Sequence, residues 1–189
     1  MEPINIQVNF IQKIRLYFGN RALNALLKST SRTRKYTSFE NSSKVALLYL
    51  IDEDQSVEAA NLLEQLLVKS GKKVSRLGYT GNKTIPQNFT PKGGSECLCS
   101  KDLRWNLIPK PEKTGSFLSE NYDILIDLSL SDLIPVKYIA VAANAGLKAG
   151  ETSQQNEKIF DLLIKHETDQ PISEFIDTVF QYVKIINQE

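Results

Sequence analysis

The sequence predicts an α/β protein: a three-layer sandwich with a mostly parallel sheet of five or six strands and helices on both faces. Two stretches carry that prediction. Residues 121–151 read NYDILIDLSLSDLIPVKYIAVAANAGLKAGE. Their first half, 123–129, is an apolar segment too short for a helix and reads as a buried strand. From Pro135 the pattern changes to Val136, Ile139, Ala140 and Ala143 at three- and four-residue spacing, with Gly146 expected as the left-handed residue that stops the helix. Residues 147–150 then form the next strand.

Residues 44–79 repeat the unit. The run KVALLYLI (44–51) is the best central-strand candidate, and 56–71 is an amphipathic helix with Ala60, Leu63, Leu66 and Leu67 inward and Gly71 as its stop. Residues 73–79 are the second strand. Two such crossover units, right-handed by default, define a Rossmann-like sheet whose functional edge lies at the carboxyl ends of its strands. The polar residues there are Asp52 and Asp54 after the first strand, and Asp127, Ser129 and Asp132 after the later one.

Composition sets the outer bounds. A chain of 189 residues with 41% hydrophobic content can bury the core of one ordinary domain. No segment approaches the roughly 18 apolar residues of a membrane span, and polar residues interrupt the N-terminal MEPINIQVN. A cytoplasmic protein is expected. Cys97 and Cys99 would project to one face of a strand, poorly placed for a mutual disulfide, and read as reduced thiols. With the lone His166 they make too small a ligand set for a metal, so no metal site is expected.

The net charge of +1 conceals an asymmetry. Residues 1–37 hold seven bases (Lys13, Arg15, Arg21, Lys28, Arg32, Arg34, Lys35) against one acid, Glu2, whereas the remainder has 16 bases and 21 acids. Phe10, Ile14, Tyr17 and Phe18 share one helical face, and Leu16, Leu23 and Leu27 another. Gly19-Asn20 is expected to divide the run into two helices. Residues 1–37 therefore read as a basic helical extension and 38–189 as a single Rossmann-like domain. The bases Arg15, Arg21, Arg32, Arg34 and Lys35 are candidates for meeting a protein or RNA partner. The alternative is a helix packed on its own domain, with solvated bases.

The connection 80–121 carries four of the seven prolines, four of the nine glycines and the only tryptophan. So long a loop without structure is improbable in a compact domain, which predicts a strand near 96–100 within a folded excursion. Trp105, flanked by Arg104 and Lys101, is a candidate for stacking a base or sugar, or else an anchor for the excursion. At the end of the chain, 159–164 reads as a strand and 171–186 as a helix with a wide apolar stripe. His166, in a polar turn, reads as structural or solvated.

Dinucleotide binding is not expected, and no cofactor is assigned. The turn after the first strand lacks glycine, and Asp52, Glu53 and Asp54 stand where a pyrophosphate would sit, so ordinary Rossmann-type NAD binding is not expected. The string Leu50-Ile-Asp52-Glu-Asp54-Gln-Ser56 resembles the first motif of haloacid-dehalogenase-type phosphohydrolases, which implies a nucleophile at Asp52 and an acid/base at Asp54. The late acidic pair of that family is not matched. The placing of Asp127 and Lys165 is similar to that of the phosphoacceptor and lysine of receiver domains, although the 80–121 connection is far longer than a receiver uses.

Two further resemblances concern longer stretches. Tyr17-Phe-Gly-Asn-Arg21, Asp123-Ile-Leu-Ile-Asp-Leu-Ser129 and Lys137-Tyr-Ile139 together resemble a family of uncharacterised Bacteroidota α/β proteins nearly end to end, which implies a shared fold and transfers no activity. Residues 122–151 resemble the N-terminal half of heptosyltransferase-like glycosyltransferases, which implies a sugar-nucleotide substrate; a second Rossmann-like domain to hold it is not expected in these 189 residues. The function expected is a non-catalytic binding or adaptor role. The alternative is a small enzyme acting on a phosphorylated or sugar-nucleotide substrate at the edge formed by Asp52, Asp54, Asp127 and Ser129.

Overall fold

The computed structural model describes residues 10–30, 37–87, 89–91, 95–166 and 170–185. Its sheet has six strands: β1 (Lys44–Leu50), β2 (Lys73–Tyr79), β3 (Ser95–Leu98), β4 (Asn121–Asp127), β5 (Asn144–Glu151) and β6 (Leu162–Ile164). Every pairing is parallel and the order is β3-β2-β1-β4-β5-β6. The helices are α1 (Phe10–Ser29), α2 (Asp54–Lys69), α3 (Pro111–Ser119), α4 (Ile134–Ala142) and α5 (Ile172–Ile185). This is the Rossmann-like three-layer sandwich that the two crossover units predict.

Strand alternation builds two cores. Val45, Leu47 and Tyr49 of β1 face α2 and α5, where Leu63, Leu67, Phe175 and Val179 complete one cluster. Ala46, Leu48 and Leu50 face the opposite way, onto Val136, Ile139 and Ala140 of α4 and Phe117 of α3. β1 and β4 are buried on both faces, which is why they read as unbroken apolar runs. Each Val, Leu, Ile or Phe side chain so removed from water contributes about 1.5–3 kcal/mol.

Several local expectations need correction. Gly19-Asn20 breaks nothing, for α1 is one continuous helix of 20 residues. Gly19 is there for contact: a Cβ would stand 2.7 Å from the Asn106 carbonyl oxygen and 3.0 Å from Ile134 Cδ1, so its absence lets α1 lie directly against α4 and the 103–109 turn. Of the face Phe10, Ile14, Tyr17 and Phe18, which a helix packed on its own domain would turn inward, Phe10, Tyr17 and Phe18 are exposed and Ile14 is half-buried, while Gly19 and Leu23 are the buried positions.

Gly146 does not end α4. It lies within β5, and the helix stops at Ala142, where the buried Lys148 ammonium donates to the carbonyls of Ala140 (2.6 Å) and Val141 (2.9 Å). Gly71, by contrast, takes the left-handed conformation (φ 77°) at the end of α2. The last strand begins only at Leu162, because Ile159 and Phe160 fill the core, with the Phe160 ring lying over Gly150. Within 80–121 the strand at 95–98 is present, and Pro111 opens a further helix, α3, that the periodicity does not announce.

Candidate functional site

In an open parallel sheet, ligands are held outside the carboxyl ends of the strands where the order reverses, here between β1 and β4. In this protein that crevice is bridged by its own side chains. Ser56, fully buried in the first turns of α2, accepts from Leu50 N–H at 2.9 Å and donates to the Leu128 carbonyl at 2.8 Å. One hydroxyl thus ties the end of β1 to the end of β4. Above it Ser131 Oγ donates to Glu53 Oε1 at 2.9 Å. The α2 N-terminus, which could otherwise attract an anion, is flanked by Glu53 and Asp54.

The candidate carboxylates occupy separate environments. Asp52 accepts from Thr80 Oγ1 (2.6 and 2.7 Å), Gly81 N–H (2.8 Å) and Asn82 Nδ2 (2.8 Å), and so fastens the loop leaving β2. Asp54 is exposed in the first turn of α2, where its charge complements the helix dipole. Asp127 is buried at the end of β4, accepting from Lys137 Nζ at 3.0 Å and from Ser129 N–H at 3.0 Å. Both partners of that ion pair are almost wholly enclosed, with side-chain exposures of 3% for Lys137 and 2% for Asp127. Ser129, also buried, donates to the Ser131 carbonyl at 3.3 Å. The structure therefore joins Asp127 to Ser129 and leaves Asp52 and Asp54 in other settings.

Sequence reasoning missed the partner that organises this edge. Lys137 also lies 3.7 Å from Asp132 and 5.1 Å from the Phe160 ring. The available signal was a lysine inside the apolar helix IPVKYIAVA. Farther along, burial raises the Glu151 carboxyl above its usual range, an effect that His166 and Lys137 partly oppose and Asp132 and Asp127 reinforce. Asn156 Nδ2 donates to the Glu151 carbonyl at 2.6 Å, and the His166 ring packs edge-on to Phe175. Among the described residues, no group of three or more His, Cys, Asp or Glu could hold a metal ion.

The other candidates lie on the opposite helical layer. Arg104 is exposed, and Trp105 is 59% exposed on a tight turn held by Arg104 N–H to the Ile108 carbonyl (2.8 Å). Trp105 packs on α1 rather than into the sheet. Its ring meets Phe18 edge-on at 5.2 Å, its carbonyl accepts from Arg15 Nε at 2.6 Å, and Phe18 in turn meets Tyr17 edge-on at 5.4 Å. Arg21 is exposed on the same helix. Arg32, Arg34 and Lys35 lie outside the described residues.

Fold and edge together define a Rossmann-like α/β protein with a self-bridged switch point and an aromatic, basic outer helix. The chain belongs to the family of unknown function DUF6913, whose sequence pattern matches residues 15–186. No curated protein matches it. Among solved structures, E. coli heptosyltransferase WaaC with ADP is similar over 76% of this chain and 49% of that one, at 13% identity and a TM-score of 0.46. This chain thus spans about half the length of that structure. Among the described residues, no helix is long and apolar enough to cross a membrane.

Proposed function

We propose that this is a non-catalytic binding protein, an adaptor whose working surface is the outer face of α1 together with Trp105, and whose partner is a protein. One observation carries the reading: an exposed apolar patch on a helix already anchored by its other side. Phe10 is 75% exposed and Tyr17 62%, with Ile11, Phe18 and Trp105 beside them. Positions 10 and 17, and 11 and 18, are seven residues apart and share a helical face. Lys13 and Arg21 flank the patch, and α1 contains no acidic residue. Contiguous apolar surface of this kind is unusual on a monomer, and tryptophan, tyrosine and arginine are the residues on which interfaces concentrate their binding energy.

A protein partner is favoured over RNA by the aliphatic content and by the rings. Ile11 and Leu16 offer nothing to a base, and Tyr17, Phe18 and Trp105 are engaged edge-to-face with one another. The bridged switch point supports the non-catalytic part of the reading, since Ser56, Glu53 and Ser131 span the place where a substrate would enter. The alternative, a small enzyme acting on a phosphorylated or sugar-nucleotide substrate at the carboxyl edge, has in its favour the enclosed Asp127–Lys137 pair at the end of β4, with the Glu151 carboxyl raised by burial on the same edge.

The test compares full-length wild type with Phe18→Asp/Trp105→Asp as baits for capture from cell extract, alongside a thermal-shift screen with nucleotides, sugar nucleotides and phosphorylated metabolites. A protein retained by wild type, released by the double variant and insensitive to nuclease is the expected result. Equal capture by both baits contradicts the reading. A metabolite that raises Tm for wild type but not for Asp127→Asn would move the assignment to the enzyme.

A further inference from the structure

Two shallow cavities flank α1 toward its C-terminal half, and they share Asn20 and Asn24 as a common ridge. The first, of about 440 Å3, adds Tyr17, Arg21 and Lys28. The second, of about 350 Å3, is floored by Leu23, Leu27 and Ile159 and rimmed by Gln154, Gln155 and Lys158. Neither is lined by an acidic residue among those described. We propose that this ridge and its flanking cavities bind an extended acidic peptide, with Asn20 and Asn24 holding its main chain; the inference rests on the binding role proposed above and names the chemistry of the partner segment.

The spacing suits an extended chain. Asn20 and Asn24 are four helical residues apart, a rise of about 6 Å, with their side chains on one face. An extended peptide repeats every two residues, about 6.6 Å, so the N–H and C=O groups of alternate residues, which share one edge, fall in step with the two carboxamides. Each carboxamide offers a donor and an acceptor, the complement of the N–H and C=O that a single residue of an extended chain presents to one edge. Side chains of such a peptide alternate between its two sides. One set falls over the Leu23, Leu27 and Ile159 floor, whose far rim carries Lys158, and the other reaches Arg21 and Lys28. Apolar residues alternating with aspartate or glutamate meet both requirements. A second copy of α1 does not, because Lys13, Arg15, Arg21 and Lys28 would face their own like charges.

The test uses full-length protein and fluorescein-labelled octapeptides that alternate glutamate or aspartate with leucine, valine or phenylalanine, read by fluorescence anisotropy. Wild type is expected to bind members of this set, more weakly as salt increases. Asn20→Ala/Asn24→Ala should lose at least about tenfold in affinity, from the hydrogen bonds to two peptide residues, with its circular dichroism unchanged. N-methylation of alternate peptide nitrogens, in one of the two registers, should produce the same loss on wild-type protein, which tests the ladder without any protein variant. Lys158→Glu should also weaken binding.

The proposal is overturned if no peptide of the set binds or if the Asn20→Ala/Asn24→Ala variant binds as wild type does. It is equally overturned if neither N-methylated register loses affinity, or if oligouridylate or anionic vesicles bind through the bases with no contribution from the asparagines. Should the peptides fail while Phe18→Asp/Trp105→Asp still releases a captured protein, only this inference falls. Capture that ignores Phe18 and Trp105 sinks the broader reading instead.

Discussion

Replacing Lys137 with methionine would leave the Asp127 carboxylate buried without its cation. Asp127 is 2% exposed, its ion pair spans 3.0 Å, and the polar contact left to it is the Ser129 N–H. Removing one partner of an enclosed pair typically costs about 3–5 kcal/mol, because the remaining charge is desolvated and uncompensated. With an m-value of about 2 kcal/mol/M in urea, the unfolding midpoint should fall by roughly 1.5–2.5 M. For a chain of this size the same loss lowers Tm by about 6–20 °C. The double variant Asp127→Asn/Lys137→Met removes both charges, keeps an acceptor for Ser129 and should recover most of the loss. Urea titration followed by circular dichroism reads both. A Lys137→Met loss below about 1 kcal/mol, or a double variant as unstable as the two single variants combined, would refute the view that this pair is a scaffold element.

Other consequences follow from the same packing. Gly19→Ala gains about 1 kcal/mol of helix propensity but drives a Cβ to 2.7 Å from the Asn106 carbonyl, so calorimetry should show net destabilisation of about 1–2 kcal/mol. Ser56→Ala leaves Leu50 N–H and the Leu128 carbonyl without the hydroxyl that joins them; its cost should be about 1–3 kcal/mol, whereas Asp54→Asn should change stability by less than about 1 kcal/mol. Burial alone would raise the Asp123 carboxyl, but the N–H groups of Lys44 and Ser43 and the Ser43 hydroxyl outweigh it, so its folded value lies below the usual 3.8. Its stabilisation is therefore present above pH 3.8 and lost as pH falls through the folded value, and Asp123→Asn should flatten that limb of the acid-unfolding curve. Glu151 has the opposite sign: its raised value favours the folded state below pH 4.5 and loses that advantage as pH rises, so Glu151→Gln should be more stable than wild type at neutral pH.

What the sequence revealed and what it concealed divide along physical lines. β1, β2 and the stop at Gly71 were legible because buried parallel strands read as apolar runs, and a left-handed helix terminus favours glycine. Gly146 misled because the same residue type fits a strand, and the cap on α4 comes from Lys148, eight residues beyond Ala140. Gly19 misled because its role is a contact with Asn106 and Ile134, both remote in sequence. At the carboxyl edge the residue types were visible, but their partners were not. Asp127 was identifiable as the end of a strand, whereas only the fold brings Lys137 to it and Ser56 to Leu128. The α1 patch was visible as apolar periodicity, but which face turned outward depended on Gly19 and Leu23 taking the buried side.

The most direct test of the α1 surface is to place a photo-reactive benzophenone amino acid at Tyr17 and, separately, at Asp54, and to irradiate cells producing each full-length variant. Tyr17 stands on the outer aromatic face and Asp54 at the carboxyl edge of the sheet, and both are exposed. Docking of a protein on the outer face of α1 requires a discrete, nuclease-resistant protein adduct from Tyr17 and none from Asp54. Adducts from Asp54 alone, or a Tyr17 adduct that nuclease removes, would contradict it.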